Sequence, residues 1–112
     1  MARGGFPGMG GGANMQQLMR QAQKMQQQMV ELQEELDART YEASAGGGMV
    51  HVTVSGKREV LSLTIDPQAV DPDDAEMLQD LVMAAVNEAL RKGEETREAE
   101  MGKVNAGLGG MF

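Results

Sequence analysis

Seven apolar residues follow one another at alternating intervals of three and four along the first third of the chain. They are Met15, Leu18, Ala22, Met25, Met29, Leu32 and Leu36. This spacing predicts a continuous apolar stripe on an α-helix that runs from about Asn14, a suitable N-cap, to Arg39. Such a helix is about 39 Å long, whereas a compact chain of this length has a radius of gyration of about 13 Å. The helix is therefore too long for the chain to cover by itself.

Covering this apolar stripe requires a partner. Six of its seven residues are Met or Leu, and burying each contributes about 1.5 to 3 kcal/mol, which sums to a value comparable with the net stability of a whole domain. We expect the partner to be a second copy of the chain, because small domains gain much from oligomerising. The 11 methionines suit such an adaptable interface. A Met-rich groove that binds a peptide is the alternative.

Glycine is concentrated at both ends of the sequence. Residues 1–13 contain six glycines and one proline, and we predict that they form a disordered arm. We predict a flexible tail over residues 105–112 for the same reason. These limits leave residues 14–104 as a single domain.

The periodicity changes from helical to alternating after Arg39. Residues 41–45 predict a first strand, and alternation predicts two more strands whose apolar faces are Val50, Val52 and Val54 and then Leu61, Leu63 and Ile65. Glycines at 46–48 and at 56 predict the turns between them. We therefore expect a three-stranded antiparallel meander with one apolar side.

A second amphipathic helix follows the predicted sheet. Asp71 is a good N-cap, Pro72 suits the first helical position, and Gly93 is expected to interrupt or end the helix. The apolar face that we expect to cover the sheet is formed by Leu78, Leu81, Val82, Ala85, Val86, Ala89 and Leu90. Residues 94–103 are charged and compatible with a further helix. The fold class predicted is α+β, in the order α-β-β-β-α.

Charge is distributed unevenly along the chain. Residues 1–30 carry Arg3, Arg20 and Lys24 and no acidic residue, which gives +3, whereas residues 31–112 carry 7 basic and 17 acidic residues, which gives −10. Acidic residues at the start of a helix and basic residues at its end favour helix stability, and the first helix has the reverse order. Attraction of a polyanion to the basic end is one explanation; chance or solubility is the other.

Arg20 and Lys24 are one turn apart and share a helix face, where neighbouring glutamines offer amides to phosphates or base edges. The alternative is an ordinary solvated surface. Lys57 and Arg58 lie in a predicted hairpin turn and could contact phosphates or be simply exposed. No aromatic residue alternates with these cations, so duplex DNA is a better candidate than single strands.

The sequence offers little for catalysis or membrane insertion. It has no cysteine, which excludes disulfides and permits a reducing cytoplasm. Its apolar runs are too short for a membrane span or a signal peptide. His51 is the sole histidine and lacks the spacing of a metal site, and Ser44, Ser55 and Ser62 have no nucleophile-elbow context. We expect neither an enzyme, a metal, a cofactor nor a small-molecule substrate.

Five segments of the sequence resemble one known family. They are NMQQLMRQAQKMQ at 14–26, GMVHVTVSG at 48–56, LTIDP at 63–67, DLVMAAVNEALRK at 80–92 and MGKV at 101–104. In this order they resemble the YbaB/EbfC family of bacterial nucleoid-associated proteins. The resemblance implies an α-β-β-β-α core and a tweezers-like homodimer with projecting helical arms.

The resemblance also implies a function and its residues. A YbaB/EbfC protein is expected to bind duplex DNA in the cytoplasm, in association with the nucleoid, and to influence nucleoid organisation and gene expression. DNA binding through the helical arms would assign Arg20 and Lys24 and, less directly, Arg97 and Lys103. The long glycine-rich arm departs from the family pattern. The alternative function is a dimeric protein-protein interaction module that uses the Met- and Gln-rich helix.

Overall fold

The computed structural model describes residues 7–109 of the chain, with side chains for residues 14–107. Its elements are α1 (Pro7–Ala38), β1 (Thr40–Ala45), β2 (Val50–Ser55), β3 (Val60–Ile65), a short 3₁₀ turn (Pro67–Ala69) and α2 (Ala75–Gly109). This order confirms the predicted α-β-β-β-α arrangement. The contacts divide the chain into two units, residues 1–35 and residues 36–112, and each is described by itself.

Helix α1 begins at Pro7, seven residues before the predicted start at Asn14. Pro7 suits the first turn of a helix, because proline has no N–H to lose there and its φ is already helical. Extending an existing helix costs far less than starting one, so the long helix tolerates the glycines that follow. Residues 7–13 of the predicted arm thus lie within the bounds of α1, and residues 1–6 lie outside the described residues.

The three strands form an antiparallel sheet in the order β1-β2-β3. Ala43 pairs with Val52, and Val52 pairs with Leu63, so these three side chains lie on one face of the sheet. The register shifts by one residue near Val54, and this shift leaves Leu61 without a direct partner. The predicted apolar face of the sheet is thus present, with a bulge in β3 that the alternation did not indicate.

The core lies between this face and α2. Val50, Val52 and Val54 are almost fully buried, and so are Ala85 and Ala89 of α2. The small alanine side chains let the helix approach the valines of the central strand closely. The predicted apolar face of α2 is therefore the one that packs on the sheet.

Helix α2 covers less of the sheet than we expected. It packs on β1 and β2, whereas Val60, Leu61 and Leu63 of β3 remain 50%, 54% and 43% exposed. The expectation that one helix covers all three strands is wrong, because α2 lies mainly over β1 and β2 and β3 is the strand at the far edge of the sheet. The apolar side of β3 is left uncovered within one chain.

Both ends of α2 differ from the prediction. The helix begins at Ala75, and Asp74 caps it by accepting a hydrogen bond from Met77 N at 3.2 Å. Asp71 instead accepts from Asp73 N at 2.9 Å, within the preceding turn. The helix passes through Gly93 without interruption and continues to Gly109, into the predicted tail, while residues 110–112 lie outside the described residues.

Gly93 has a packing role inside this continuous helix. A β-carbon at this position would lie 3.2 Å from the ring of Tyr41. Glycine in a helix interior costs about 1 kcal/mol relative to alanine. Here it leaves room for the aromatic ring of Tyr41 in β1.

Candidate nucleic-acid interface

The basic side chains fall into two groups according to their partners. Most of those on β-strands, turns and α2 pair with acidic residues: Arg39 with Glu100, Arg58 with Glu94, Arg91 with Glu88, Arg97 with Asp37 and Lys103 with Glu100. Lys92 Nζ donates to the carbonyl oxygen of Glu42 at 2.8 Å. Among the lysine and arginine side chains described, those of residues 14–107, only Arg20, Lys24 and Lys57 have no ionic or hydrogen-bond partner.

Two of these three unpaired cations lie together on α1. Arg20 and Lys24 are exposed and, with Gln17 and Gln21, line one shallow depression on the helix. The first acidic residue after them is Glu31, about 10 Å further along the helix axis. This distance is about one Debye length at physiological salt, so their positive potential is hardly reduced by neighbouring carboxylates. Residues 14–30 of α1 are called the basic segment below.

Arg97 has the opposite environment. Its side chain is 27% exposed and pairs with Asp37. Nη2 donates to Asp37 Oδ1 at 2.6 Å and to the carbonyl oxygen of Gly56 at 3.3 Å. Lys103 is much more exposed and lies 3.6 Å from Glu100 Oε1. Both predicted DNA-contact residues thus already have acidic partners within the chain.

The turn between β2 and β3 carries the remaining two predicted DNA-contact residues. Arg58 adopts a left-handed backbone conformation with φ 68° and pairs with Glu94. Lys57 is exposed beside it and keeps its charge unpaired. This turn therefore offers one free cation, and the basic segment offers two.

The apolar stripe changes its environment along α1. Met15 and Leu18 are 61% and 59% exposed, Ala22 is exposed, and Met25, Met29 and Leu32 are half-buried. Leu36 is 1% exposed within the single chain. Because its side chain is already covered, Leu36 belongs to the core of its own chain, whereas the other six residues of the stripe stay predicted interface residues.

Comparison with known proteins decides the family. The model of the YbaB/EbfC DNA-binding family matches residues 9–108. The chain belongs to this family. The resemblance carried by the five sequence segments is thereby confirmed, and the family is described by DNA binding rather than by an enzymatic activity.

Individual relatives of the YbaB/EbfC family match almost the whole chain. A nucleoid-associated protein of Clostridium novyi is 59% identical over 114 residues, with all of both chains covered. A nucleoid-associated protein of Ruminiclostridium cellulolyticum is 56% identical over 111 residues, covering 99% of this chain and 96% of the relative. The crystal structure of an uncharacterized protein from Helicobacter pylori has a TM-score of 0.67 at 28% identity, covering 79% of this chain and 92% of that one. This likeness confirms the predicted fold.

The outer face of the sheet carries a cluster of polar side chains that was not predicted from the sequence. His51 Nδ1 lies 3.0 Å from Ser44 Oγ, and His51 Nε2 lies 3.1 Å from Glu42 Oε1. Ser44 and Glu42 precede His51 by seven and nine residues in the sequence, and the pairing of β1 with β2 brings the three side chains together. Ser44 lies within a strand, not at the tight turn that presents a catalytic serine.

Neither helix, over the residues described, is apolar enough along a sufficient length to cross a membrane. Among the described residues, the basic segment is the surface of this YbaB/EbfC chain that is best suited to an anion. It combines two unpaired cations with a run of glutamine amides and lacks acidic neighbours.

Proposed function

We propose that this YbaB/EbfC chain binds duplex DNA as a homodimer through the basic segment of α1. In doing so it alters DNA conformation and influences nucleoid organisation and gene expression, in the cytoplasm and in association with the nucleoid. The observation that carries the proposal is the unpaired state of Arg20 and Lys24, on a chain whose other described arginines are ion-paired.

Phosphate neutralisation is the chemistry that this surface supports. Arg20 and Lys24 would each displace a counterion from the duplex, and the logarithm of affinity then falls by about 0.9 per contacted phosphate against the logarithm of salt concentration. A dimer doubles the number of contacts. The glutamine amides add hydrogen bonds to phosphates or base edges. With two cations per chain, binding should be moderate, sensitive to salt and weakly selective for sequence.

The acidic remainder of the chain supports the same assignment. Residues 31–112 carry a net charge of −10, and duplex DNA is repelled by a surface of that sign. Over residues 14–107, whose side chains the structure describes, only the basic segment presents unpaired positive charge without acidic neighbours in the sequence. We therefore expect DNA to contact α1 and to avoid the sheet and α2.

Two uncovered apolar surfaces support the homodimer. One is the exposed part of the apolar stripe, Met15 and Leu18, and the other is the side of β3 formed by Val60, Leu61 and Leu63. Strand β3 is also an edge strand with no charged residue and no proline over residues 60–65. Natural edge strands are usually protected by such residues. We therefore expect β3 to pair antiparallel with a second copy of itself about a two-fold axis, since this arrangement requires no protein other than the chain itself.

A protein partner for α1 is the second candidate function. The exposed Met15, Leu18 and Met19 are adaptable apolar side chains, and they favour a dimeric interaction module that uses the Met- and Gln-rich helix. Purification of the tagged protein with and without nuclease separates the two functions. A partner protein that stays bound after the nucleic acid is digested supports the module, whereas one that leaves with the DNA does not.

The deciding experiment for DNA binding compares two variants that lose the same charge. Arg20→Gln/Lys24→Gln removes the unpaired cations, and Arg91→Gln/Lys92→Gln removes two exposed cations from α2. Titration of a labelled duplex at several salt concentrations should show at least a tenfold loss for the first variant and little change for the second. The salt slope of the first should fall by up to about 3.6 per dimer. Equal affinities, with the dimer intact, would contradict the proposal.

A further inference from the structure

Three glutamines of the basic segment form a row on one side of α1. They are Gln16, Gln23 and Gln27, and at about 100° per residue they lie within about 40° of one another around the helix axis. All three are exposed. Gln23 and Gln27, together with Gln26 and Val30, line a shallow depression on the helix. We call Gln16, Gln23 and Gln27 the glutamine row.

The glutamine row differs in position from the other two faces of α1. It lies about 150° around the helix from the apolar stripe, so a second copy that covers the stripe leaves the row open. Arg20 and Lys24 lie about 60° from the row. A helix in a groove of DNA turns its centre to the base edges and its borders to the phosphates. This order therefore suits the two cations to phosphates and the glutamines to bases.

The surroundings of the glutamine row suit a groove of DNA. Every side chain of residues 14–24 is exposed, so the helix is open on all sides over about three turns. An α-helix with its side chains is about 10 to 12 Å across, and the major groove of B-DNA is about 12 Å wide. Residues 14–30 carry no carboxylate, and Glu31 follows Gln27 by one turn. The row thus spans about 16 Å of helix, the length of about five base pairs, before a negative charge follows.

We propose that the glutamine row recognises A·T base pairs in the major groove of duplex DNA, while Arg20 and Lys24 hold the phosphates beside it. This inference rests on the proposed function and names the class of sequence that the same helix prefers. A glutamine amide accepts a hydrogen bond from adenine N6 and donates one to adenine N7, whereas guanine presents two acceptors at these positions. Val30, which lines the same depression as Gln27, is suited to contact with the methyl group of thymine.

The preference for A·T pairs should be modest. Glutamine side chains on an exposed helix lose rotamer freedom when they bind a base, and this loss offsets part of the gain from the hydrogen bonds. We expect duplexes rich in A·T pairs to bind about three- to tenfold more tightly than duplexes rich in G·C pairs. This range agrees with the weak selectivity expected of a surface that binds mainly through phosphates.

A single change of atom in the DNA tests this recognition. Two labelled duplexes of the same A·T-rich sequence are titrated, one natural and one in which 7-deazaadenine replaces every adenine. The replacement removes the N7 acceptor from the major groove and leaves base pairing and the minor groove as they were. The wild type should bind the natural duplex about three- to tenfold more tightly than the modified one. Gln23→Ala/Gln27→Ala should bind both duplexes equally.

Gln17→Ala/Gln21→Ala is the matched control. These two glutamines are also exposed and one turn apart, but they line the depression beside Arg20 and Lys24, about 120° from the glutamine row. Their removal should leave the preference for the natural duplex unchanged. Both variants keep every charge, so their salt slopes should equal that of the wild type. Circular dichroism and sedimentation confirm that each variant is as helical and as dimeric as the wild type.

The outcomes separate this inference from the proposed function. If Arg20→Gln/Lys24→Gln binds like the wild type, the proposed function fails. If that variant loses binding while the wild type binds the natural and the 7-deazaadenine duplexes equally, only the recognition of A·T pairs is overturned. A preference that survives in Gln23→Ala/Gln27→Ala, or one that disappears equally in the control, would overturn it as well.

Discussion

Gly56 approaches the backbone of Leu36 so closely that a β-carbon at position 56 would lie 1.8 Å from the carbonyl oxygen of Leu36. The same glycine donates its N–H to the carbonyl oxygen of Arg39. The turn between β2 and β3 therefore packs directly on the backbone where α1 ends. A residue with any side chain would separate these two elements.

Gly56→Ala should destabilise the chain by about 3 kcal/mol or more, because backbone atoms cannot move aside as a flexible side chain can. Urea denaturation of the full chain measures the change in unfolding free energy. Gly102→Ala is the control, since nothing lies within 4 Å of its β-carbon position in α2. That substitution should stabilise the helix by about 0.5 to 1 kcal/mol. A Gly56→Ala protein as stable as the wild type would contradict the observed approach.

The sequence predicted the elements better than it predicted the contacts between them. Alternation placed Val50, Val52 and Val54 correctly on one face, because burial within a strand follows its own period of two. The role of Gly56 could not be predicted in the same way. As a glycine between two strands it indicates a turn, and nothing local shows that the turn meets a helix about 20 residues earlier in the chain.

The candidate site shows the same limit. The spacing of Arg20 and Lys24 was enough to place them on one helix face. The partners of Arg58 and Arg97 lie 36 and 60 residues away in sequence, so the sequence could not show that these cations are neutralised. Similarly, the apolar pattern of β3 indicated a face to be covered but did not indicate whether α2 or another chain covers it.

The N-terminus of α2 offers a test of the revised cap. Asp74→Ala should lower the unfolding free energy by about 1 kcal/mol, because the N–H of Met77 loses its acceptor. Asp80→Ala removes the same charge from an exposed position of α2 where the aspartate caps nothing. Its effect should stay within about 0.5 kcal/mol. Comparable losses in both variants, measured by thermal unfolding, would argue for a general charge effect and against capping by Asp74.

The uncovered side of β3 can be tested with one charge on either face of the strand. Leu63→Asp places a carboxylate on the apolar side, and burying it at a dimer interface should raise the dissociation constant by about thirtyfold or more. Thr64→Asp places the same charge on the opposite face, which carries His51, and should leave the dimer intact. Sedimentation across a range of concentrations gives both constants. A dimer that tolerates Leu63→Asp would show that β3 does not form the interface.

The apolar stripe of α1 contains residues with different expected roles, and Leu36 and Leu18 represent the two ends. Leu36→Ala opens a cavity in the core of one chain, where Leu36 is 1% exposed, and should cost about 2 to 5 kcal/mol. Leu18 is 59% exposed, so Leu18→Ala should leave the stability of a monomer unchanged and should weaken only an interface that it joins. The loss in Leu36→Ala should therefore be seen at every protein concentration, whereas that in Leu18→Ala should vanish on dilution below the dimer dissociation constant. Unfolding midpoints at several concentrations separate these cases, and a Leu18→Ala protein that matches the wild type throughout would remove this part of the stripe from the dimer interface.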